Sequence, residues 1–235
     1  MQDRDTIQRI PVSTVERLCR LYALCDRPAG DVSDTFVPSR TIGEWLGVSP
    51  DLVRRDISYL GEVGCTGMGY DVRRLREHIA QGLGLCQERR TCVVGLGRLG
   101  AALLEQERFA ESGYRLVAGF DTSINRLETI RTQVPLYPAY EMADTVRVQA
   151  IELAMLAVPA AAAQETADAL AGAGVVCILN FAPVVVQAHR PGVVVRNVDI
   201  LNELHVVSSL ERLAARARAG AGVAQDGVRE TAPQT

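Results

Sequence analysis

The sequence predicts an α/β protein built from two domains and a C-terminal helix. Apolar residues recur at helical spacing through residues 1–85, which indicates a small helical domain. Residues 86–200 are predicted to form the second domain. Within it, from Thr91 onward, short apolar runs alternate with helical segments, a pattern typical of a doubly wound parallel sheet covered by helices. A final amphipathic helix is predicted over residues 201–218, and we expect residues 219–235 to be disordered.

Length and composition are those of a folded protein. The 235 residues suffice for two domains that each bury a core, and a hydrophobic content of 48% exceeds that of disordered chains. The most apolar stretch, Ile151–Ala163, is too short to cross a bilayer and the first residues form no signal peptide, so we expect a cytoplasmic location and no membrane partner. The six cysteines form no Cys-x-x-Cys pair and have no histidine at ligand spacing, which predicts no metal site.

A helix-turn-helix motif is predicted over about residues 21–60. Gly47 is typical of the end of its first helix, and Ser49 is typical of the cap of its second. One face of the second helix is apolar, so the opposite face is predicted to enter the major groove of DNA. The candidate DNA-binding residues are Ser49, Leu52, Arg54, Arg55, Ser58 and Tyr59.

The charge of this domain leaves an alternative open. Residues 1–85 contain 11 Arg and 12 acidic residues, a net charge of −1, and the whole chain carries −3. Any DNA contact must therefore be local, since indiscriminate nucleic-acid binders carry a strong basic excess. The same motif also fits a helical interaction module with a solvated charged face.

Glycine and proline mark the segments around the motif. Asp26–Val37 contains Pro28 and Gly30 and is predicted to be a loop. Gly61–Tyr70 contains four glycines and is predicted to form a hairpin or wing, followed by a helix from Asp71 to about Gln81.

The strands and helices of the second domain follow from its apolar runs. Strands are predicted at Thr91–Val94, Tyr114–Asp121, Ile151–Val158, Val175–Asn180 and Val193–Asn197. Helices are predicted at Leu99–Arg108, Glu141–Gln149 and Ala160–Ala171.

A glycine motif directly after the first of these strands predicts a dinucleotide site of the Rossmann type. Gly95 allows a tight turn, Gly97 lets the backbone approach a pyrophosphate, and Gly100 lets helix and strand pack closely. Asp121 lies 21 residues beyond Gly100 at the end of the next strand, where a carboxylate accepts the ribose hydroxyls. An acid there also repels a 2′-phosphate, so NAD(H) is favoured over NADP(H). The motif reads Gly95, Leu96, Gly97, Arg98, Leu99, Gly100.

Two further segments fall at the carboxyl ends of strands, the edge at which open α/β sheets bind ligands. Phe181 is predicted either to lie against the nicotinamide ring or to be a core aromatic at the end of a buried strand. The candidate cofactor residues in these segments are Val158, Pro159, Asn180, Phe181, Ala182 and Pro183.

From about Pro11 to Leu213 the chain resembles the Rex family of redox-sensing repressors, which are winged-helix proteins with a C-terminal Rossmann domain. The resemblance rests on Val53–Gly61, Gly67–Tyr70, Gly95–Gly100 and Ile178–Val185, in this order and spacing. It implies a homodimer that exchanges its C-terminal helix, a palindromic operator bound with NAD⁺, and release of that operator by NADH. It also implies that Asp199 lies near the nicotinamide.

Three positions depart from the family pattern. Cys65 and Thr66 stand where the wing of family members usually carries basic residues. Ala23 stands in place of a first-helix arginine that some members pair with the acid matched by Asp199, and no tyrosine occurs around Glu105 and Gln106. A thiol response of Cys65 and the effect of these departures on DNA binding are left open by the sequence.

Two alternatives belong to other functional classes. An NAD-dependent oxidoreductase needs a proton-transfer group facing the nicotinamide, yet the chain has no lysine and its three histidines belong to no recognisable catalytic constellation, so we predict no enzyme. A CoA- or nucleotide-binding module acting through a helical N-terminal interaction domain would also use Asp121 for an adenosine ribose. The sequence separates this second alternative poorly from NAD(H) binding.

Overall fold

The computed structural model describes residues 10–25, 36–61, 63 and 68–226. The chain divides into two compact units, Met1–Glu88 and Arg89–Thr235, and each is described by itself.

The described residues of the N-terminal unit form four helices and a two-stranded sheet. The helices are α1 (Val12–Cys25), α2 (Ser39–Leu46), α3 (Pro50–Ser58) and α4 (Val72–Gly82). Strand β1 (Phe36–Val37) pairs antiparallel with β2 (Tyr70–Asp71). Apolar residues recurring three and four positions apart on the helices meet in one core of Leu18, Leu21, Ile42, Val53, Ile57, Leu75 and Ile79.

The segments on either side of the helix-turn-helix differ from the prediction or lie partly outside the described residues. Phe36 and Val37 fall in the predicted loop but form β1. The sequence does not predict this strand because two residues are too few to show alternation and the partner strand lies far along the chain. The predicted wing includes residues 62 and 64–67, which lie outside the described residues, as does Cys65.

A close turn joins α2 to α3. Gly47 ends α2 in the left-handed conformation with φ 70°, a conformation that glycine adopts without strain. A Cβ at Gly43 would lie 2.6 Å from the carbonyl oxygen of Val48, so the turn packs against α2 only because residue 43 lacks a side chain. Ser49 caps α3 by accepting the N–H of Leu52, as predicted.

A six-stranded parallel sheet forms the second unit, which confirms the predicted fold class. Its strands are β3 (Arg89–Val94), β4 (Tyr114–Asp121), β5 (Leu136–Pro138), β6 (Leu153–Leu156), β7 (Cys177–Asn180) and β8 (Val194–Asn197). The order β5-β4-β3-β6-β7-β8 reverses direction between β3 and β6. In an open sheet this switch point creates a crevice at the carboxyl ends of the strands.

Helices cover both faces of the sheet. They are α5 (Arg98–Leu104), α6 (Arg108–Glu111), α7 (Ile124–Thr129), α8 (Met142–Val148) and α9 (Ala160–Ala173). Successive strand residues point to opposite faces, so Val93 and Met155 join one cluster while Cys92 and Leu156 join the other.

The last helix, α10 (Ile200–Asp226), has 27 residues and extends beyond the predicted end at residue 218. The helix therefore includes residues 219–226, for which the sequence predicts disorder. Its apolar residues are exposed by 44–64%. They are Ile200, Leu201, Leu204, Val206, Val207, Leu210 and Leu213. None of the helices in the described part of the chain is long and apolar enough to cross a membrane.

Burial of Cys92 predicts how stability depends on pH. Desolvation raises the pKa of its thiol to about 12, whereas a thiol in the unfolded chain has a pKa of about 8.5. Between these values only the unfolded state loses the proton, so stability falls as pH rises, by about 1.4 kcal/mol per pH unit. Between about pH 8.5 and pH 10 we expect the free energy of unfolding, measured by urea titration, to fall by about 2 kcal/mol more in wild type than in Cys92→Ala. Identical pH dependence of the two proteins would contradict this.

Candidate functional site

A cavity of about 640 Å³ opens at the carboxyl edge of the sheet, beyond the ends of β3, β4 and β6. Its walls are mostly apolar. The polar side chains lining it are Asp121, Thr122, Arg126, Glu165 and Thr166. Five predicted cofactor residues also line it: Gly95, Gly97, Asp121, Val158 and Pro159. The volume and lining are those of a small-molecule site.

The three glycines of the motif have different structural roles. Gly95 has φ 89°, and a Cβ there would lie 2.6 Å from the carbonyl oxygen of Ala157. A Cβ at Gly100 would lie 1.9 Å from the carbonyl oxygen of Gly95, so the first turn of α5 packs directly on the end of β3. Gly97 differs, because a Cβ there would meet no described atom within 4 Å. Gly97 therefore leaves open space at the wall of the cavity.

The carboxylate of Asp121 is held in a fixed orientation. Asp121 is 4% exposed, its Oδ2 accepts the N–H of Leu96 at 2.7 Å, and its Oδ1 accepts the N–H of Ser123 at 2.7 Å. The Nη1 of Arg126 lies 3.3 Å from Oδ2 and brings a positive charge to the same wall. Sequence reasoning did not identify Arg126. The sequence does contain one signal for this residue. Ser123 caps α7, so the helix begins just after β4 ends and brings Arg126 beside Asp121.

The rest of the motif does not line the cavity. Leu96 is buried in the sheet core and contributes only its backbone N–H to the site. Arg98 and Leu99 are exposed in the first turn of α5, and Gly100 is buried against Gly95.

The candidates at the ends of β7 and β8 lie at the same sheet edge but outside the cavity wall. Asn180 is fully buried, and both its amide atoms bond to protein groups, so it is a structural residue here. Phe181 packs half-buried against the cluster that contains Met155, which favours the core interpretation over the nicotinamide contact. Ala182 is buried and Pro183 is exposed. Asp199 is exposed and caps α10 by accepting the N–H groups of Leu201 and Asn202.

Helix α3 presents the predicted DNA-binding residues on one side of the N-terminal unit. Ser49, Arg54, Arg55 and Ser58 are exposed, whereas Leu52 and Tyr59 are half-buried. Arg54 is braced, since it donates to the Ser39 hydroxyl at 2.6 Å and pairs with Asp51. The Ser58 hydroxyl donates to the carbonyl of Arg55 at 2.7 Å.

An ion pair between the partly exposed Arg17 and the buried Asp56 joins α3 to α1. The carboxylate of Asp56 accepts from Arg17 on α1 at 2.5 and 2.8 Å and from the Thr14 hydroxyl at 2.9 Å. This hydrogen bonding to Asp56 raises the pKa of the Arg17 guanidinium. Sequence reasoning missed the pair, although Asp56 lies between Val53 and Ile57 on the face predicted to be apolar.

Among the described residues no group of three His, Cys, Asp or Glu side chains is arranged to hold a metal ion.

Comparison with known proteins assigns the family. A model of the CoA binding domain matches residues 86–184, less than half of the chain. The redox-sensing transcriptional repressor Rex of Desulfitobacterium hafniense is 37% identical over 203 residues, which are 85% of this chain and 94% of that protein. The chain belongs to the Rex family. Rex of Streptomyces coelicolor is 36% identical over 218 residues, covering 93% of this chain and 82% of that protein.

Solved structures of a Rex-family repressor, RSP, show the same architecture. RSP in complex with β-NAD⁺ and operator DNA is 29% identical, with a TM-score of 0.78 and coverage of 95% of this chain and 99% of that chain. RSP in complex with β-NADH is 27% identical, with a TM-score of 0.79 and coverage of 90% and 98%. These Rex relatives are repressors and not enzymes, which speaks against the oxidoreductase alternative.

Proposed function

We propose that this Rex-family chain is a transcriptional repressor that senses the NADH/NAD⁺ ratio, binding operator DNA in its NAD⁺ or apo form and releasing it with NADH. The open space at Gly97 beside the fixed Asp121 carboxylate carries the proposal, because a dinucleotide needs both features in one cavity. The solved RSP complexes with β-NAD⁺, operator DNA and β-NADH support it. Residues 1–85 would form the winged-helix domain and 86–200 the cofactor domain.

The cavity residues fit a dinucleotide in a definite direction. Asp121 would accept the adenosine ribose hydroxyls beside Arg126, and the pyrophosphate would pass over Gly97 toward the start of α5. The nicotinamide end would then reach beyond Val158 and Pro159 toward the ends of β7 and β8. That direction brings Phe181–Pro183 and Asp199 close to it.

The exposed side of α3 supplies the DNA contacts. Arg54 and Arg55 would pair with guanine or neutralise phosphates, Ser49, Ser58 and Tyr59 would donate to phosphate oxygens, and Leu52 would pack beside them. Arg54 reaches DNA from a braced position, whereas Arg55 has no side-chain partner among the residues that the structure describes. Arg55 therefore has the greater freedom to adjust to a base.

The exposed apolar face of α10 supports a homodimer. Such a face on a 27-residue helix is stabilised by packing against another chain, and we assign this role to a second copy that exchanges the helix. A two-fold dimer presents two copies of α3 and therefore requires a palindromic operator. Since a repressor acts where the chromosome is, the proposal places the protein in the cytoplasm.

Selection of duplexes from a random pool tests the proposal. The purified protein is offered the pool once with NAD⁺ and once with NADH at one fixed salt concentration, because affinity for DNA depends steeply on salt. We expect a palindrome enriched with NAD⁺ and depleted with NADH. No enrichment in either case, or thermal protection by CoA without protection by NADH, would contradict the proposal and favour a nucleotide-binding module.

Replacing Arg55 should weaken operator binding. We expect Arg55→Ala to lose about 1–3 kcal/mol of affinity for the selected duplex if Arg55 pairs with a base, with relaxed preference at that base. If Arg55 contacts a phosphate instead, the loss extends to all duplexes and the salt slope falls by about one. Arg147→Ala is the control, since it removes the same charge from an exposed pair in the other unit. Equal affinity of wild type and Arg55→Ala would remove Arg55 from the interface.

A further inference from the structure

A pair of asparagines joins the ends of two strands at the carboxyl edge of the sheet. Asn180 is the last residue of β7, Asn197 is the last residue of β8, and the two lie opposite each other in the parallel register. The Nδ2 of Asn180 donates to the Oδ1 of Asn197 at 2.8 Å. We call this pair the asparagine clasp, and residues 181–186 the edge loop.

The clasp holds the edge loop by its backbone. The Oδ1 of Asn180 accepts the N–H of Ala182 at 3.0 Å, and its Nδ2 donates to the carbonyl of Val184 at 2.8 Å. Asn197 bonds to both backbone groups of Val186, accepting its N–H at 2.9 Å and donating to its carbonyl at 3.1 Å. Because Asn180 is fully buried, breaking these bonds would leave its amide without water as a substitute. The loop and the end of β8 are therefore tied together.

Two elements on which the proposed function depends meet at the clasp. The edge loop contains Phe181–Pro183, at the end of the crevice that the nicotinamide would reach. Asn197 lies two residues before Asp199, whose carboxylate caps the first turn of α10. A displacement of the edge loop must therefore move the start of α10 or break the clasp.

We propose that the asparagine clasp transmits the oxidation state of the bound dinucleotide from the edge loop to α10, with Asn197 as a positioning residue. The inference rests on the proposed function. NAD⁺ and NADH differ only by a ring charge and a hydride, so the ligand acts through contacts at the nicotinamide end. A distant effect on DNA then needs an element that both sites bias, and the clasp links the edge loop to the dimer helix in one rigid connection.

A matched pair of variants tests this role. Asn197→Ala removes the clasp, and Gln164→Ala is the control. Asn197 holds both backbone groups of Val186, and Gln164 on α9 holds both backbone groups of the residue after it, Gln187. Gln164 accepts the N–H of Gln187 at 3.0 Å and donates to its carbonyl at 3.1 Å, but it has no described bond to β8. Operator affinity is measured for the duplex selected with NAD⁺, under saturating NAD⁺ and saturating NADH, and dinucleotide affinity is measured by calorimetry.

We expect Asn197→Ala to bind NADH within about threefold of wild type, while the factor by which NADH weakens operator binding falls at least about fivefold. Gln164→Ala keeps the wild-type factor. The inference would be overturned if NADH weakened operator binding of Asn197→Ala by the same factor as in wild type, or if this factor fell equally in both variants. A loss of NADH affinity of more than about tenfold in Asn197→Ala would also overturn it. If wild type itself does not respond to NADH, the proposed function fails as well. A responding wild type with a fully responding Asn197→Ala refutes the clasp alone.

Hydrogen exchange on wild type decides the matter if Asn197→Ala does not fold. With NADH in place of NAD⁺, amide exchange should change both in the edge loop and in residues 198–203. A change in the edge loop alone, or in neither segment, would overturn the inference.

Discussion

Gly97→Ala should bind NADH at least about tenfold more weakly than wild type, a loss of about 1.4 kcal/mol, without losing stability. A Cβ at this position meets no described atom within 4 Å, so the added methyl group leaves the fold undisturbed and instead occupies the space proposed for the pyrophosphate. The backbone of Gly97, with φ −68° and ψ −164°, is extended and allows alanine. Calorimetry and thermal melting measure the two effects.

Gly172→Ala is the control for this prediction. A Cβ at Gly172, in α9, also meets no described atom within 4 Å, so the substitution changes the same atoms away from the cavity wall. We expect it to bind NADH as wild type does. Unchanged NADH affinity in Gly97→Ala would show that the dinucleotide does not pass over Gly97, and loss of folding would show that the turn itself requires glycine at this position.

Asp56→Asn should destabilise the N-terminal unit by about 1–3 kcal/mol, the usual cost of leaving a buried polar group without its hydrogen-bond partner. Asp56 is 3% exposed, and the substitution would leave the Arg17 guanidinium without its carboxylate between α1 and α3. Trp45, the single tryptophan of the chain, lies in α2, so its fluorescence during urea titration reports on this unit.

Asp51→Asn serves as the control on the same helix. Asp51 pairs with Arg54 in the open, with 89% of its side chain exposed, and exposed pairs contribute about 0.2–1 kcal/mol. Equal stability losses in the two variants would show that the Asp56 pair does not anchor α3. We also expect Asp56→Asn to weaken operator binding, because α3 is held against α1 through this pair.

The doubly wound sheet was predictable because its central strands are continuous apolar runs separated by helical segments. Strand β5 was not, because its three residues, Leu136–Pro138, are too few to show a pattern and it forms only by pairing with the end of β4. The two-residue strands of the N-terminal unit escaped prediction for the same reason. Helix α10 extends beyond residue 218 because Gly220 and Gly222, which predicted its end, lower helix propensity without excluding a helix.

The part of the cavity wall that could be predicted is the part where binding a dinucleotide requires a particular backbone conformation. Gly95, Gly97 and Asp121 were found because a turn, a close approach and a strand end have fixed spacing in this motif. Arg126 and the Asp56 pair arise from tertiary contacts that spacing does not encode. Asn180 was predicted as a cofactor residue from its place at a strand end, yet the structure uses its amide to fasten the edge loop to β8.

The most direct test of the account adds NADH to a complex of the full-length protein, NAD⁺ and the selected operator duplex at constant salt, with DNA release followed by fluorescence anisotropy. We expect NADH to weaken operator binding by a factor within the usual range of allosteric coupling, about 5–150. Operator affinity that stays the same at saturating NADH, with NADH binding confirmed by calorimetry, would contradict the central claim that the cavity controls the DNA-binding unit.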